Sequence, residues 1–207
     1  MPRSKPIIGI CGGIGAGKSR VAQVFEEVGC TVVDSDRLSH EVLRRGDVAE
    51  TIAAWWGDAV LDSDGKPDRR RLGELVFTDE EQKRRLESLI HPLIAERRRA
   101  IIEAAKKNPA VKAIILDSPL LFESRLDCLC DAIVFVQTGE QQRFRRLRQA
   151  RNWDSGESRK RERWQTPLAT KRSRCEHEIN NEGPEEGIRP QVTAILERII
   201  TTFNSTP

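Results

Sequence analysis

A chain of 207 residues with 38% hydrophobic side chains, 32% charged side chains and a net charge of +3 is long enough for one good core and ordinary for a water-soluble protein. No apolar run approaches the length of a bilayer span, and Met1 to Lys5 lack the apolar centre of a secretory signal, so a cytoplasmic protein with no membrane partner is expected. The five cysteines, at positions 11, 30, 128, 130 and 175, are an odd number without the paired spacing of a zinc site and read as free thiols in a reducing compartment.

The first predicted strand, Ile7 to Cys11, runs into Gly12-Gly13-Ile14-Gly15-Ala16-Gly17-Lys18-Ser19, and the amphipathic segment Val21-Ala22-x-x-Phe25 follows at once. Strand, glycine-rich turn and helix at the spacing G-x-x-x-x-G-K-S form a phosphate loop. Its backbone N–H groups turn inward around a triphosphate, Lys18 reaches the outer phosphates and the Ser19 hydroxyl holds Mg²⁺. The helix adds its positive end to the same anion site. A glycine-rich turn without a ligand is the alternative, and the complete motif with both flanking elements argues against it. The loop specifies a nucleoside triphosphate but not the group that receives the phosphate.

Gly29 ends the first helix, and Cys30 to Val33 is a short strand closing on Asp34-Ser35-Asp36. Carboxylates there stand at the ligand crevice of an open parallel sheet. They are equally suited to capping a helix that begins near Arg37, and one of them can cap while the other does chemistry. Helical spacing follows from Leu38 to Arg45 and from Val48 to Trp56, interrupted by Gly46-Asp47, and then a polar turn at Asp62 to Pro67 and a short helix at Arg69 to Val76. Thr78-Asp79-Glu80-Glu81 is a capping box that opens a long helix. That helix should kink or restart at His91-Pro92, because proline leaves the Ser88 carbonyl without its donor. No strand signal appears between Arg37 and Asn108, so this stretch is expected to be a helical insertion that grips a substrate.

Val111 to Leu116 reads as a central strand buried on both faces. Asp117, closing it beside the phosphate loop, is the candidate to hold the hydration shell of Mg²⁺. Leu120, Leu121 and Phe122 read as packing. Ala132 to Val136 is the fourth strand, and Thr138 to Gln149 is a helix running into a basic block. Between Arg143 and Arg174 there are twelve lysines and arginines against three acids, a net +9, which leaves −6 for the rest of the chain. The block admits three readings: a solvated face, a nucleic-acid patch with Trp153 and Trp164 as stacking platforms, or a lid that closes arginines over ATP. The phosphate loop favours the lid, with a hinge at Asp154-Ser155-Gly156. Cys175 to Asn180 is a weak fifth strand and Pro190 to Phe203 a last amphipathic helix.

Gly12 to Ser19, Asp34-x-Asp36, His91-Pro92, Pro119-Leu120-Leu121-Phe122-Glu123, Gln165 with Lys171, and Ile179-Asn180-Asn181-x-Gly183 together resemble the dephospho-coenzyme A kinase family. Order and spacing agree from Ile7 to about Phe203. The resemblance implies transfer of the γ-phosphoryl of ATP, with Mg²⁺, to the 3′-hydroxyl of dephospho-CoA, and no nucleic-acid partner. It implies an α/β P-loop kinase with a doubly wound, five-stranded parallel sheet of order 2-3-1-4-5. The single domain would have its core at about 6–36, 109–137 and 174–204, a helical CoA-binding subdomain at about 37–108 and a lid at about 138–170.

By position, Asp36 would be the catalytic base acting with Lys18, and Gly13, Ile14, Gly15, Ala16, Gly17, Lys18, Ser19 and Arg20 would hold ATP, joined by Arg145, Arg148 and Arg151 of the lid. Asp34, His91, Leu120, Phe122 and Gln165 are the candidate substrate contacts, and Ser19 with Asp117 the metal-side groups. Several positions depart from the family pattern. Arg20 and Cys11 each replace a usual threonine, Asn152 follows Arg151 where an Arg-Asp pair is expected, and Cys175-Glu176-His177-Glu178-Ile179 replaces a more apolar Ala-Asp-x-x-Ile, making a weak edge strand. A kinase for another small hydroxylated metabolite or nucleoside, and a nucleotide-gated RNA-binding protein using the +9 block, are the competing readings. Oligomeric state is not legible in the sequence.

Overall fold

The computed structural model describes residues 5–205, leaving aside the side chains of 77, 78 and 185. Met1 to Ser4, most of the segment expected to lack a secretory signal, lie outside the described residues. Five parallel strands form the sheet: β1 Ile7–Gly12, β2 Thr31–Asp34, β3 Ile114–Asp117, β4 Ala132–Gln137 and β5 His177–Asn180. Their order is β2-β3-β1-β4-β5, as expected. An all-parallel sheet must be covered on both faces, and β3 and most of β1 and β4 are accordingly buried along their length. Helix α1 (Lys18–Glu27) supplies Val21, Val24 and Phe25 to the core, where they join Val192, Leu196 and Ile199 of the last helix, Ile188–Ser205.

Strand β3 starts three residues later than its apolar run suggests. The Val111 N–H closes a turn onto Asn108 and the Lys112 N–H bonds the Gly29 carbonyl, so these two residues serve the connections and not the ladder. The last strand is short, with three of its four residues off the core, in keeping with its polar sequence.

The chain divides into two compact units, one of residues 1–34 with 104–207 and the other Ser35–Glu103. The second unit is helical: α2 Ser35–Leu43, α3 Gly46–Trp56, α4 Arg69–Thr78 and most of α5 Glu80–Lys107, with a lone bridge between Leu61 and Pro67 as the β contact among its described residues. Val42, Val48, Ile52, Leu72, Leu86 and Ile90 make its core, and the Trp56 indole donates to Gln82 at 2.7 Å. The cap of α5 is Asp79, whose carboxylate accepts from the Glu81 and Gln82 N–H groups at 2.9 and 3.1 Å. The helix does not restart at His91-Pro92. It runs through Pro92, since one lost hydrogen bond is small against the 28 residues that continue the helix.

The basic block folds as α6 Glu140–Arg151, α7 Ser155–Glu162 and α8 Leu168–Ser173, and the helix Ile188–Ser205 is α9. At Asp154-Ser155-Gly156, where a hinge is expected, α7 starts: Asp154 accepts from the Glu157 N–H at 2.7 Å, and Ser155 and Gly156 are already helical. The helical pattern breaks earlier, at Asn152, which closes α6 in the left-handed conformation with φ 53°.

Candidate active site

The phosphate loop leaves β1 at Gly12 and turns back through an Ala16 N–H to Gly13 carbonyl bond of 3.1 Å. Gly17 has φ 84°, and a Cβ there would collide with the Asn181 amide, so the residue before the lysine has to be glycine on two counts. The Ala16 carbonyl oxygen accepts from Asn181 Nδ2 at 2.7 Å, Thr138 Oγ1 at 3.0 Å and Arg146 Nη1 at 3.2 Å. These three donors fix the turn of the loop, the kind of backbone turn whose N–H groups make an anion site. The Lys18 ammonium meanwhile bonds the Gly12 and Gly13 carbonyls at 3.2 and 3.0 Å.

Burial pushes the Lys18 amine below its ordinary value, and nearby Lys171 and Arg143 add to the effect, while Asp117 opposes it. Asp117 is buried at the end of β3, in register with Ile10 of β1 on one side and Asp34 of β2 on the other. Arg143, also buried, donates to the Ile14 carbonyl at 3.1 Å and pairs with Glu162 of α7, and its Nε has no hydrogen-bond partner. A second arginine of α6, Arg146, adds a 3.0 Å bond to the Asn181 carbonyl.

Beside the loop lies a cavity of about 410 Å³, walled by Gly13, Arg159, Glu162, Arg163, Gln165 and Lys171 among others. Lys171 is buried; it donates to Gln165 Oε1 at 2.8 Å and lies 3.5 Å from Glu123. Burial would raise the Glu123 carboxyl, but the Thr166 N–H at 2.5 Å, its own N–H and Lys171 hold it below the usual range. These contacts tie the segment after β3 to the residues that lead into α8.

Within this unit the structure brings together Gly13 to Lys18, Asp117, Asp34 and Gln165. Ser19 is exposed on the first turn of α1, and Arg20 pairs with Glu27 at 3.3 Å. Leu121 and Phe122 are buried, the latter under the Arg174 guanidinium at 4.3 Å, whereas Leu120 is 46% exposed and does not pack. Asp36 is exposed in the first turn of α2, two residues past Asp34, and His91 is exposed on α5. The three chosen arginines lie elsewhere on α6 than the loop: Arg145 donates to Gln142 at 2.6 Å, Arg148 lines a separate cavity with Arg145 and Trp153, and Arg151 stacks on Trp153 at 4.9 Å. The arginines at the loop are Arg143 and Arg146, which a count of positive charge in the block did not single out. Their i,i+3 spacing with the buried Leu147 is the signal that picks the inward face of α6.

The sequence profile of the dephospho-CoA kinase family matches residues 6–186 of the chain. A dephospho-CoA kinase of Geobacillus kaustophilus is 37% identical over 192 residues, 92% of this chain and 95% of that protein. One of Bacillus cereus is 37% identical over 93% and 96% of the two chains. Among solved structures, a Thermus thermophilus protein superposes with a TM-score of 0.79 at 32% identity, covering 95% of this chain and 98% of that one. A dephospho-CoA kinase of Campylobacter jejuni superposes at 0.65 over 94% and 97%. At 21% identity, that second likeness speaks to the fold.

Proposed function

Because the chain belongs to the dephospho-CoA kinase family, we propose that it transfers the γ-phosphoryl group of ATP to the 3′-hydroxyl of dephospho-CoA, giving CoA and ADP. The observation that carries the assignment at the level of chemistry is the loop itself. A glycine-shaped turn, held through its Ala16 carbonyl by Asn181, Thr138 and Arg146, would offer backbone N–H donors and a lysine to a triphosphate.

In this reading Lys18 leaves the loop carbonyls for the transferring phosphoryl oxygens, and the incoming negative charge stabilises the ammonium that burial disfavours. Ser19 and Asp117 offer the hard oxygens that suit Mg²⁺, which keeps most of its waters and needs few protein ligands when phosphates supply the rest. Among the described residues no cluster of three His, Cys, Asp or Glu could hold a metal ion alone, in keeping with an ion that arrives with ATP. When bound, it would neutralise charge on the phosphates.

Asp36 is assigned the role of base by its position in the family pattern, and Asp34 that of orienting the acceptor hydroxyl. The unit Ser35–Glu103, with His91, is assigned to the acceptor, as are Leu120, Phe122 and Gln165, and α6 to α8 to a lid whose Arg145, Arg148 and Arg151 exclude water from ATP. No helix among the described residues is long and apolar enough to cross a membrane, and we place the reaction in the cytoplasm. The test is to incubate the purified protein with ATP-Mg and dephospho-CoA and follow CoA by mass spectrometry. CoA and ADP in equal amounts are expected; ATP turnover that leaves dephospho-CoA unphosphorylated would overturn the assignment.

A further inference from the structure

Two thiols that phosphoryl transfer does not use are in contact. Cys11 stands in β1 immediately before Gly12, and Cys175 lies between α8 and β5. Their Sγ atoms are 3.1 Å apart, bringing together positions 164 residues distant in the chain. The Lys171 carbonyl oxygen lies 2.9 Å from the Cys175 Sγ and is a second acceptor for the same thiol proton. Both cysteines occupy positions at which the chain departs from the pattern it otherwise follows.

The surroundings divide the pair's proton unevenly. The hydrogen bond from Cys175 draws the Cys11 thiol below its ordinary value against the effect of burial, and the Lys171 and Lys18 charges assist. Cys175 is pushed up by the same hydrogen bond and by burial. When the pair gives up a proton, Cys11 is therefore the thiol that loses it and Cys175 the one that keeps its own. By contrast, burial pushes both Cys30 and Cys130 up to about 12, which leaves them inert at neutral pH.

We propose that Cys11 and Cys175 are a hydroperoxide-sensitive dithiol at the foot of the phosphate loop, and that their cross-linking slows phosphoryl transfer. Cys11 is buried and Cys175 half-buried, so the oxidant has to be small. The Cys11 thiolate attacks one oxygen of hydrogen peroxide and becomes a sulfenic acid as the O–O bond breaks; the departing hydroxide takes a proton and leaves as water. The Cys175 sulfur then displaces the hydroxyl from Cys11. An S–S bond forms, the S–O bond breaks, and the Cys175 proton leaves with the hydroxyl as a second water. The two thiols lose two electrons in all and the peroxide gains them. A transient bridge of this kind is compatible with a reducing compartment, where sensing disulfides are the exception to free thiols.

Bonding draws the sulfurs from 3.1 Å to about 2.05 Å. It ends the Cys175 contact with the Lys171 carbonyl, pulls on the segment beside Lys171, whose ammonium bonds Gln165 and lies near Glu123, and removes a thiol that can ionise near Lys18. Each change bears on a wall of the loop or its cavity.

Wild type, Cys175→Ala and Cys175→Ser are to be treated with hydrogen peroxide and, in parallel, with glutathione disulfide, then examined by intact mass, non-reduced peptide mapping and rate. Expected in the wild type with peroxide are the loss of two hydrogen masses, a peptide linking Cys11 to Cys175, and a several-fold fall in rate that dithiothreitol restores. The bulkier disulfide should act far more slowly; Cys175→Ser, which keeps a donor for the Lys171 carbonyl, should keep the untreated rate, and both variants should lose the reversible inhibition. Absence of the linked peptide, a linked peptide with unchanged rate, or equal inhibition of the Cys175 variants overturns the proposal. The mass readout needs no acceptor, so a wrong assignment of the kinase substrate is distinguishable from a wrong assignment of the dithiol.

Discussion

Arg146 donates to the carbonyl oxygen of Ala16 at 3.2 Å, so the phosphate loop is held in shape by a helix more than a hundred residues downstream. Its second nitrogen bonds the Asn181 carbonyl at 3.0 Å, and the Asn181 side chain returns to the same Ala16 oxygen. Removing a charged donor from such a network costs about 1.5–3 kcal/mol. We predict that Arg146→Ala raises the KM for ATP by about tenfold or more. Arg146→Lys should recover only part, since an ammonium cannot span both carbonyls. Unchanged ATP kinetics in the alanine variant would show that the loop holds its shape without α6.

The second prediction concerns Lys18. Its folded-state pKa is depressed by burial below the ordinary value of 10.5, so the ligand-free protein carries a charge there that costs stability below the folded pKa. As pH rises from that value toward 10.5 the native state gives up its proton before the unfolded state does, and stability climbs. Lys18→Met should therefore leave the ligand-free Tm at neutral pH unchanged or raised, on a scale of about 2–4 °C per kcal/mol. The difference between the two proteins should shrink across the alkaline window. Transfer should be nearly abolished and ATP should no longer stabilise the variant. A clear drop in Tm on removing the ammonium would contradict the reading of its buried state.

What the sequence disclosed follows from the range of each interaction. The phosphate loop was legible because its glycines, lysine and serine are contiguous and their spacing is set by the ligand. Strand order followed from the family pattern and from apolar runs such as Ile114 to Leu116, buried as expected. Helix limits near Asp79 and Asp154 were displaced by one or two residues because any of several neighbouring side chains can cap, and only the folded backbone selects one. That Arg143 and Arg146 are the arginines of α6 in contact with the loop was not legible from charge alone. The five arginines of that helix are equal in composition, and only the rotation of α6 toward Ile14 and Ala16 separates them. The Cys11–Cys175 contact was hidden for the same reason, since nothing local to either residue points to the other.

A third prediction separates the two faces of α6. Neutralising Arg145, Arg148 and Arg151 together should leave the loop intact, because among the described residues their contacts are with Gln142 and Trp153 and with the cavity beside Trp153. If these residues close over ATP, the variant should bind nucleotide with little change, transfer more slowly and hydrolyse more ATP to water, since an open lid admits solvent. Identical transfer and hydrolysis would return the outer face to a solvated surface.

The last prediction concerns the base. A ribose hydroxyl is a poor nucleophile at neutral pH, and a carboxylate within hydrogen-bond reach is needed to orient it and take its proton as the bond to phosphorus forms. Two acids follow one another at the end of β2. Asp34 is the strand's last residue, half-buried and in register with Asp117, the carboxylate proposed for the metal side. Asp36 stands exposed in the first turn of α2, where the carboxylate is open to a ligand and gains from the helix's positive end. Asp36→Asn retains size and much of the hydrogen bonding but no basicity, so single-turnover CoA formation should fall by about 10²–10⁴-fold with ATP affinity little changed. Asp34→Asn should slow transfer less, and should weaken its dependence on Mg²⁺ concentration if the carboxylate helps to set the ion. The two variants are to be compared by rapid quench, with ATP titrated separately and Mg²⁺ varied in both. Should Asp34→Asn prove the crippled enzyme while Asp36→Asn turns over normally, the roles of the two acids are reversed, and the base belongs to the strand and not to the helix.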